Sequence, residues 1–218
     1  MGALCILLFA MPAHGQGLWL TEHFANQCDY ELALSSWSMA PADQQASFDG
    51  RLLRARILIQ LDLGANAVSE LSTLRAEAPE KRIAEILLAL GLAQSSARVF
   101  QAAEATLRAA REKGADRELV DAAIAEVWLS SGRKIEAEAL LRQVLRRAPD
   151  LAGPMINLAM IRAVEGNVTE AAALIRMAWQ LGYRNPKELR KAPEFERVRA
   201  LGLLNDLITE PLGRCHIF

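Results

Sequence analysis

Between Gly132 and the pair Pro149-Asp150 the chain reads "GRKIEAEALLRQVLRRAPD". Apolar residues fall at Ile135, Ala137, Leu140, Leu141, Val144 and Leu145, the spacing of one helix face. Glycine ahead of the run and proline behind it supply a start and a stop. A helix with one apolar face needs neighbours to cover it, and the pattern supplies them by repetition. Gly132 recurs as Gly166, 34 residues on. Ala137 matches Ala171 and Ala103, Leu141 matches Ile175 and Leu107, and Val144 matches Ala178 and Ala110. In the preceding apolar run Ile124 matches Leu158 and Leu90, and Ala125 matches Ala159 and Gly91. Three units share this register: 84–117, 118–151 and 152–185. Ala67 and Ala33 continue it upstream 34 apart, whereas Ala67 to Ala103 is 36, placing two inserted residues near "EAPEKR".

The pattern therefore predicts about five helix–turn–helix units over 16–185, in a stack whose neighbours share one continuous core. β-branched residues never alternate, so no sheet is expected. Asn185-Pro186 and Ala192-Pro193 then divide 186–210 into a short helix and a longer one. The longer one carries Phe195, Val198, Leu201, Leu204 and Leu207 on one strip, as a capping helix should. Residues 211–218 read as a loose tail.

The repeat resembles the tetratricopeptide repeat (TPR), a helix–turn–helix unit of roughly 34 residues. The residues that carry the resemblance are "LALG" (Leu88 to Gly91), Trp128, the small residues Ala103, Ala137, Ala171, Ala110 and Ala178, and Pro79 and Pro149. "CDYELAL" from Cys28 is similar to the family's turn and second-helix entry, with Cys28 in the slot of the turn glycine. Gln94 and Arg162 stand where a tyrosine is usual in the family. The resemblance spans Leu18 to Tyr183 and implies an all-α, right-handed superhelical solenoid of antiparallel helix pairs. It also implies that first helices line a concave groove that grips a protein or peptide partner. Carried over position by position, the candidate partner-binding residues are Arg51, Arg56, Leu88, Leu92, Leu119, Glu126, Ile156, Asn157 and Met160. Of the family's Lys/Asn/Arg clamp for a terminal carboxylate only Asn157 fits, so that clamp is absent. Arg51 and Arg56 point to a partner that is acidic at the N-terminal end. Self-association through the stack is the second arrangement such an array allows.

Composition narrows the reading further. Lys+Arg is 25 against Asp+Glu 26, a net charge of −1, which disfavours a dedicated nucleic-acid binder. The opening "MGALCILLFAMPAHGQG" has no charged side chain, and Ala13 and Gly15 form a small-residue cleavage site before Gln16. Residues 1–15 therefore read as a signal peptide without the usual basic start, too short for a membrane span. Export to a periplasm is expected, with a cytoplasmic location the alternative. Cys5 is followed directly by more apolar residues, which is not a lipoprotein context.

No HExxH, CxxC, GxSxG or phosphate loop occurs, and the three histidines are His14, His23 and His216. No catalysis, metal or cofactor is expected. Carboxylates in "ELSTLRAEAPE" and "EAEALL" read as solvated helix faces, and Arg108, Arg111, Arg142, Arg146 and Arg147 as cations complementing helix C-termini. Cys28 and Cys215 sit at opposite ends of the array, so no bridge between them is expected.

Overall fold

The computed structural model describes residues 17–209. The expected signal segment 1–15 and the tail 211–218 lie outside the described residues. Among those described there are fourteen α-helices and no strand. Five antiparallel pairs follow one another: α1 (Gly17–Ala25) with α2 (Tyr30–Ser38), then α4 (Phe48–Gln60) with α5 (Gly64–Glu77). Next come α6 (Ile83–Ser96) with α7 (Phe100–Glu112), α8 (Arg117–Ser130) with α9 (Lys134–Arg147), and α10 (Ala152–Val164) with α11 (Val168–Gln180). The short α3 (Ala42–Ala46) joins the first two pairs, and a 3-10 turn at Glu80–Arg82 absorbs the two extra residues of the 36-residue step. Among the described residues no helix is long and apolar enough to cross a membrane.

Each pair turns through one residue in the left-handed region: Cys28 (φ 55°), Asp62 (59°), Arg98 (60°), Gly132 (84°) and Gly166 (84°). These positions repeat the 34, 36, 34, 34 spacing of the sequence. Only glycine adopts that conformation without strain against Cβ, which explains the glycines at 132 and 166.

The small-residue register also has a physical cause. Ala33, Ala67, Ala103, Ala137 and Ala171 are all 0% exposed, at the closest approach of second helices to their neighbours. At Gly91 the first helix α6 comes so close to α7 that a Cβ would lie 2.6 Å from Leu107 Cγ. Ala137→Leu or Ala171→Leu should therefore overpack the stack and cost about 1–3 kcal/mol. Thermal melts of both variants would check this, and two unchanged melting temperatures would break the register.

The departure at Arg162 is explained by a polar contact between units. Glu70, Glu104 and Glu138 stand 34 residues apart on successive second helices. Glu70 takes Arg51 and Arg54 of its own pair, whereas the next two reach across to the following unit. Glu104 accepts from the Trp128 indole at 2.9 Å, and Glu138 accepts from Arg162, which occupies the position equivalent to Trp128 in the next unit. "EAEALL" thus carries an inter-unit ion pair rather than a purely solvated face. The arginines differ from expectation in the same way. Arg147 reaches Glu118 at 2.9 Å and Asp121 at 2.5 Å, and Arg111 reaches Asp121 at 3.1 Å. They bind carboxylates on the adjacent first helix as well as sitting near helix ends.

The cap is less regular than the sequence strip suggests. α12 (Pro186–Lys191) and a 3-10 turn (Pro193–Phe195) lead into α13 (Glu196–Ala200) and α14 (Asn205–Thr209). Phe195, Val198, Leu204 and Leu207 are buried on the last pair, but Leu201 is 63% exposed. The chain leaves the helix at Leu201 and turns through Gly202, so one continuous helix becomes two.

The larger correction concerns the ends. The array curls until its first and last parts meet. Lys187 Nζ lies 3.1 Å from Asp29 Oδ1 and 3.6 Å from Glu31 Oε2. Cys28 Sγ lies 3.1 Å from the Arg184 carbonyl oxygen. Cys28 is disulfide-bonded, and separation along the array is no argument against a bridge, although Cys215 itself lies outside the described residues.

Candidate functional site

Curling forms an open cavity with two adjoining lobes of about 990 and 700 Å³. The larger is lined by first helices α6, α8 and α10, by Tyr30 of the first unit, and by the Tyr183–Glu188 segment that crosses back to it. The larger lobe contains seven of the nine candidate residues: Leu88, Leu92, Leu119, Glu126, Ile156, Asn157 and Met160.

They do not contribute equally. Leu119 is 41% exposed, and Leu88 and Met160 are half-buried, so these three offer apolar surface to the cavity. Leu92 and Ile156 are only 6% and 3% exposed and belong to the packed core, touching the cavity at their edges. Asn157 is half-buried and makes no side-chain hydrogen bond among the described residues, leaving its amide available. Arg51 and Arg56 are a correction, because neither lines the cavity. Arg51 is held by Glu70 at 3.3 Å and Glu77 at 2.6 Å, and Arg56 by Glu85 at 2.7 Å. Both point from α4 to carboxylates on the adjacent helices α5 and α6, so the acidic-partner expectation loses its basis.

No protein-family model and no curated protein sequence matches the chain. Among solved structures the chain is similar to TTC0263, a thermophilic TPR protein of Thermus thermophilus. The two share 22% identity at a TM-score of 0.65 over 88% of this chain and 100% of that one. The fold is that of a TPR protein. A structure of MamA is similar at a TM-score of 0.47 and 15% identity, over 74% of this chain and 94% of that one.

In this TPR solenoid the sequence register locates the groove wall but not its far side. Tyr183, Asn185 and Glu188 lie past the last helix pair and form a polar knot facing α8. Tyr183 donates its hydroxyl to Glu188 Oε2 at 2.6 Å, Asn185 Nδ2 donates to the same oxygen at 3.0 Å, and the Glu188 N–H donates to Asn185 Oδ1 at 3.1 Å. Asn185 is thereby the N-cap of α12, which fixes where Glu188 points. The sequence signal for this was the Asn-Pro helix start with Glu three residues on, a capping pattern.

Crowding shapes the electrostatics. Desolvation, then the charge of Glu188, pushes the Glu126 carboxyl up to about 7. Glu126 is nonetheless solvent-accessible, so the crowding around it is that of a cavity wall rather than of a packed core. Desolvation also raises Glu188, against the pull of the Tyr183 and Asn185 hydrogen bonds. Burial and then Glu188 push the Tyr30 hydroxyl up to about 12 and raise Tyr183 as well. The site is an apolar track opposite a carboxylate-bearing wall.

Proposed function

We propose that this TPR array is a non-catalytic adaptor, acting in an exported, periplasmic assembly, that holds a segment of a partner protein inside its curled groove. The observation that carries the reading is the accessible apolar track Leu88, Leu119 and Met160 beside the free amide of Asn157. Apolar surface kept open in a concavity marks a binding site, and an amphipathic helix or extended segment fits such a track. At about 990 Å³ the larger lobe alone reaches the top of the roughly 300–1,000 Å³ range of small-molecule sites. With the second lobe added there is room for a stretch of chain. The proposed cleavage before Gln16 would leave every described residue in place, since these begin at Gly17.

A photo-crosslinking residue placed at Leu119 in producing cells should capture a partner protein. The same residue at Ile135, 81% exposed but outside the cavity, should not. Leu119→Asp should abolish partner capture with helical circular dichroism unchanged. The mature chain from those cells should begin at Gln16; a retained Met1 would refute export. Cross-links to a second copy alone would replace the adaptor with self-assembly, and no cross-link at all would remove the groove reading.

A further inference from the structure

We infer that the segment held in this cavity places a cation, a lysine or arginine side chain, between its apolar residues. The inference rests on the groove reading and specifies the partner's chemistry. Four carboxylates line the larger lobe: Glu126, Asp150, Glu188 and Glu194. Its two cations, Lys134 and Arg184, are engaged elsewhere. Lys134 is bound to Glu165 at 2.6 Å. Arg184 stacks over Trp179 at 4.8 Å and donates to the Tyr183 carbonyl at 2.8 Å. In the smaller lobe Lys187 is tied to Asp29 and Glu31, while Lys191 and Arg98 are exposed to solvent.

Glu126 stands beside the apolar track on α8, on the same helix as Leu119. Among the described residues it makes no hydrogen bond and no ion pair, and the charge nearest in effect is another carboxylate, Glu188. Glu188 itself receives only neutral donors, Tyr183 and Asn185. Apolar walls strengthen any charge interaction formed between them. A neutral segment would offer Glu126 and Glu188 no countercharge, and an acidic one would add a third repulsive charge. A lysine or arginine supplies that countercharge, and the stem of such a side chain lies well along apolar surface like that of Leu88 and Leu119.

The test selects displayed random peptides of about 12 residues on the intact protein, without presupposing the natural partner. Selected sequences should carry Lys or Arg flanked by apolar residues. Changing that basic residue to Gln in a synthetic copy should weaken binding by about tenfold or more, read by fluorescence anisotropy. On the Glu126→Gln protein, whose melting temperature should match wild type, the same change should matter by less than about threefold. Selected peptides with no basic preference, or with one that ignores Glu126→Gln, would overturn the inference. If Leu119→Asp still loses those peptides, the groove reading survives that failure. If Leu119→Asp loses none of them, the groove reading falls and takes the inference with it.

Discussion

Phe195→Ala should loosen the C-terminal end of the array before the rest, at a cost of about 3–5 kcal/mol. Phe195 is 0% exposed and heads the fully buried side chains by volume. It fills the space between α10, α11 and the cap, in one cluster with Ile156, Ala159, Trp179, Leu189 and Val198. The turn that carries it is braced by Arg199, which donates to the Leu189 and Ala192 carbonyls at 3.0 and 2.6 Å. Alanine leaves that volume empty, and the bracing keeps the walls from collapsing into it. Stability in a repeat array is close to a sum over neighbouring units. Hydrogen exchange should therefore rise in α10 to α14 while α4 to α7 stay protected. An even loss over all five pairs would show that the array unfolds as one unit.

Arg162→Met should cost about 2–3 kcal/mol at neutral pH, below the roughly 3–5 kcal/mol of a deeply buried broken pair. Arg162 is 7% exposed because its own carboxylates cover it: Glu138, Glu165 and, at 3.1 Å, Glu170. After substitution Glu138 keeps Arg142, and Glu165 keeps Lys134, which limits the loss. The pH dependence has a definite sign. The hydrogen bond from Arg162 leads in holding the Glu138 carboxyl below its ordinary value, and those from Lys134 and then Arg162 do the same for Glu165. Lowered carboxyl values contribute stability present above the unfolded value and lost as pH falls through the folded one. The gap between wild type and variant should thus be open at neutral pH and close below about pH 4. Urea denaturation at both pH values would measure it, and a gap that persists in acid would assign the effect to packing alone.

Arg162 also shows what a linear reading can and cannot reach. Its place in the repeat was legible, since Phe24, Leu58, Gln94, Trp128 and Arg162 share one register position. Its partner was not, because Glu138 becomes its neighbour only through the stacking of one unit on the next. The alanine register and the 36-residue step were legible for the opposite reason: each reports contact between adjacent helices, which local spacing controls. Leu92 and Ile156 occupy groove positions as expected, yet they are core. Which side of a helix ridge faces a neighbour depends on a few degrees of rotation that no residue type encodes. The meeting of Lys187 with Asp29 was out of reach altogether. Curvature accumulates from small rotations over five units, and no single window of sequence contains it.

That meeting has a consequence for how the molecule assembles. Helix pairs pack on their sequence neighbours, so their contacts are local and form early and fast. The seam between Lys187 and Asp29 joins residues 158 apart. It can close only after every intervening unit has its final twist, so it is the last contact made on folding. By the same logic it is the first released on warming or strain, before any pair unfolds. The chain is in that sense a spring whose ends latch.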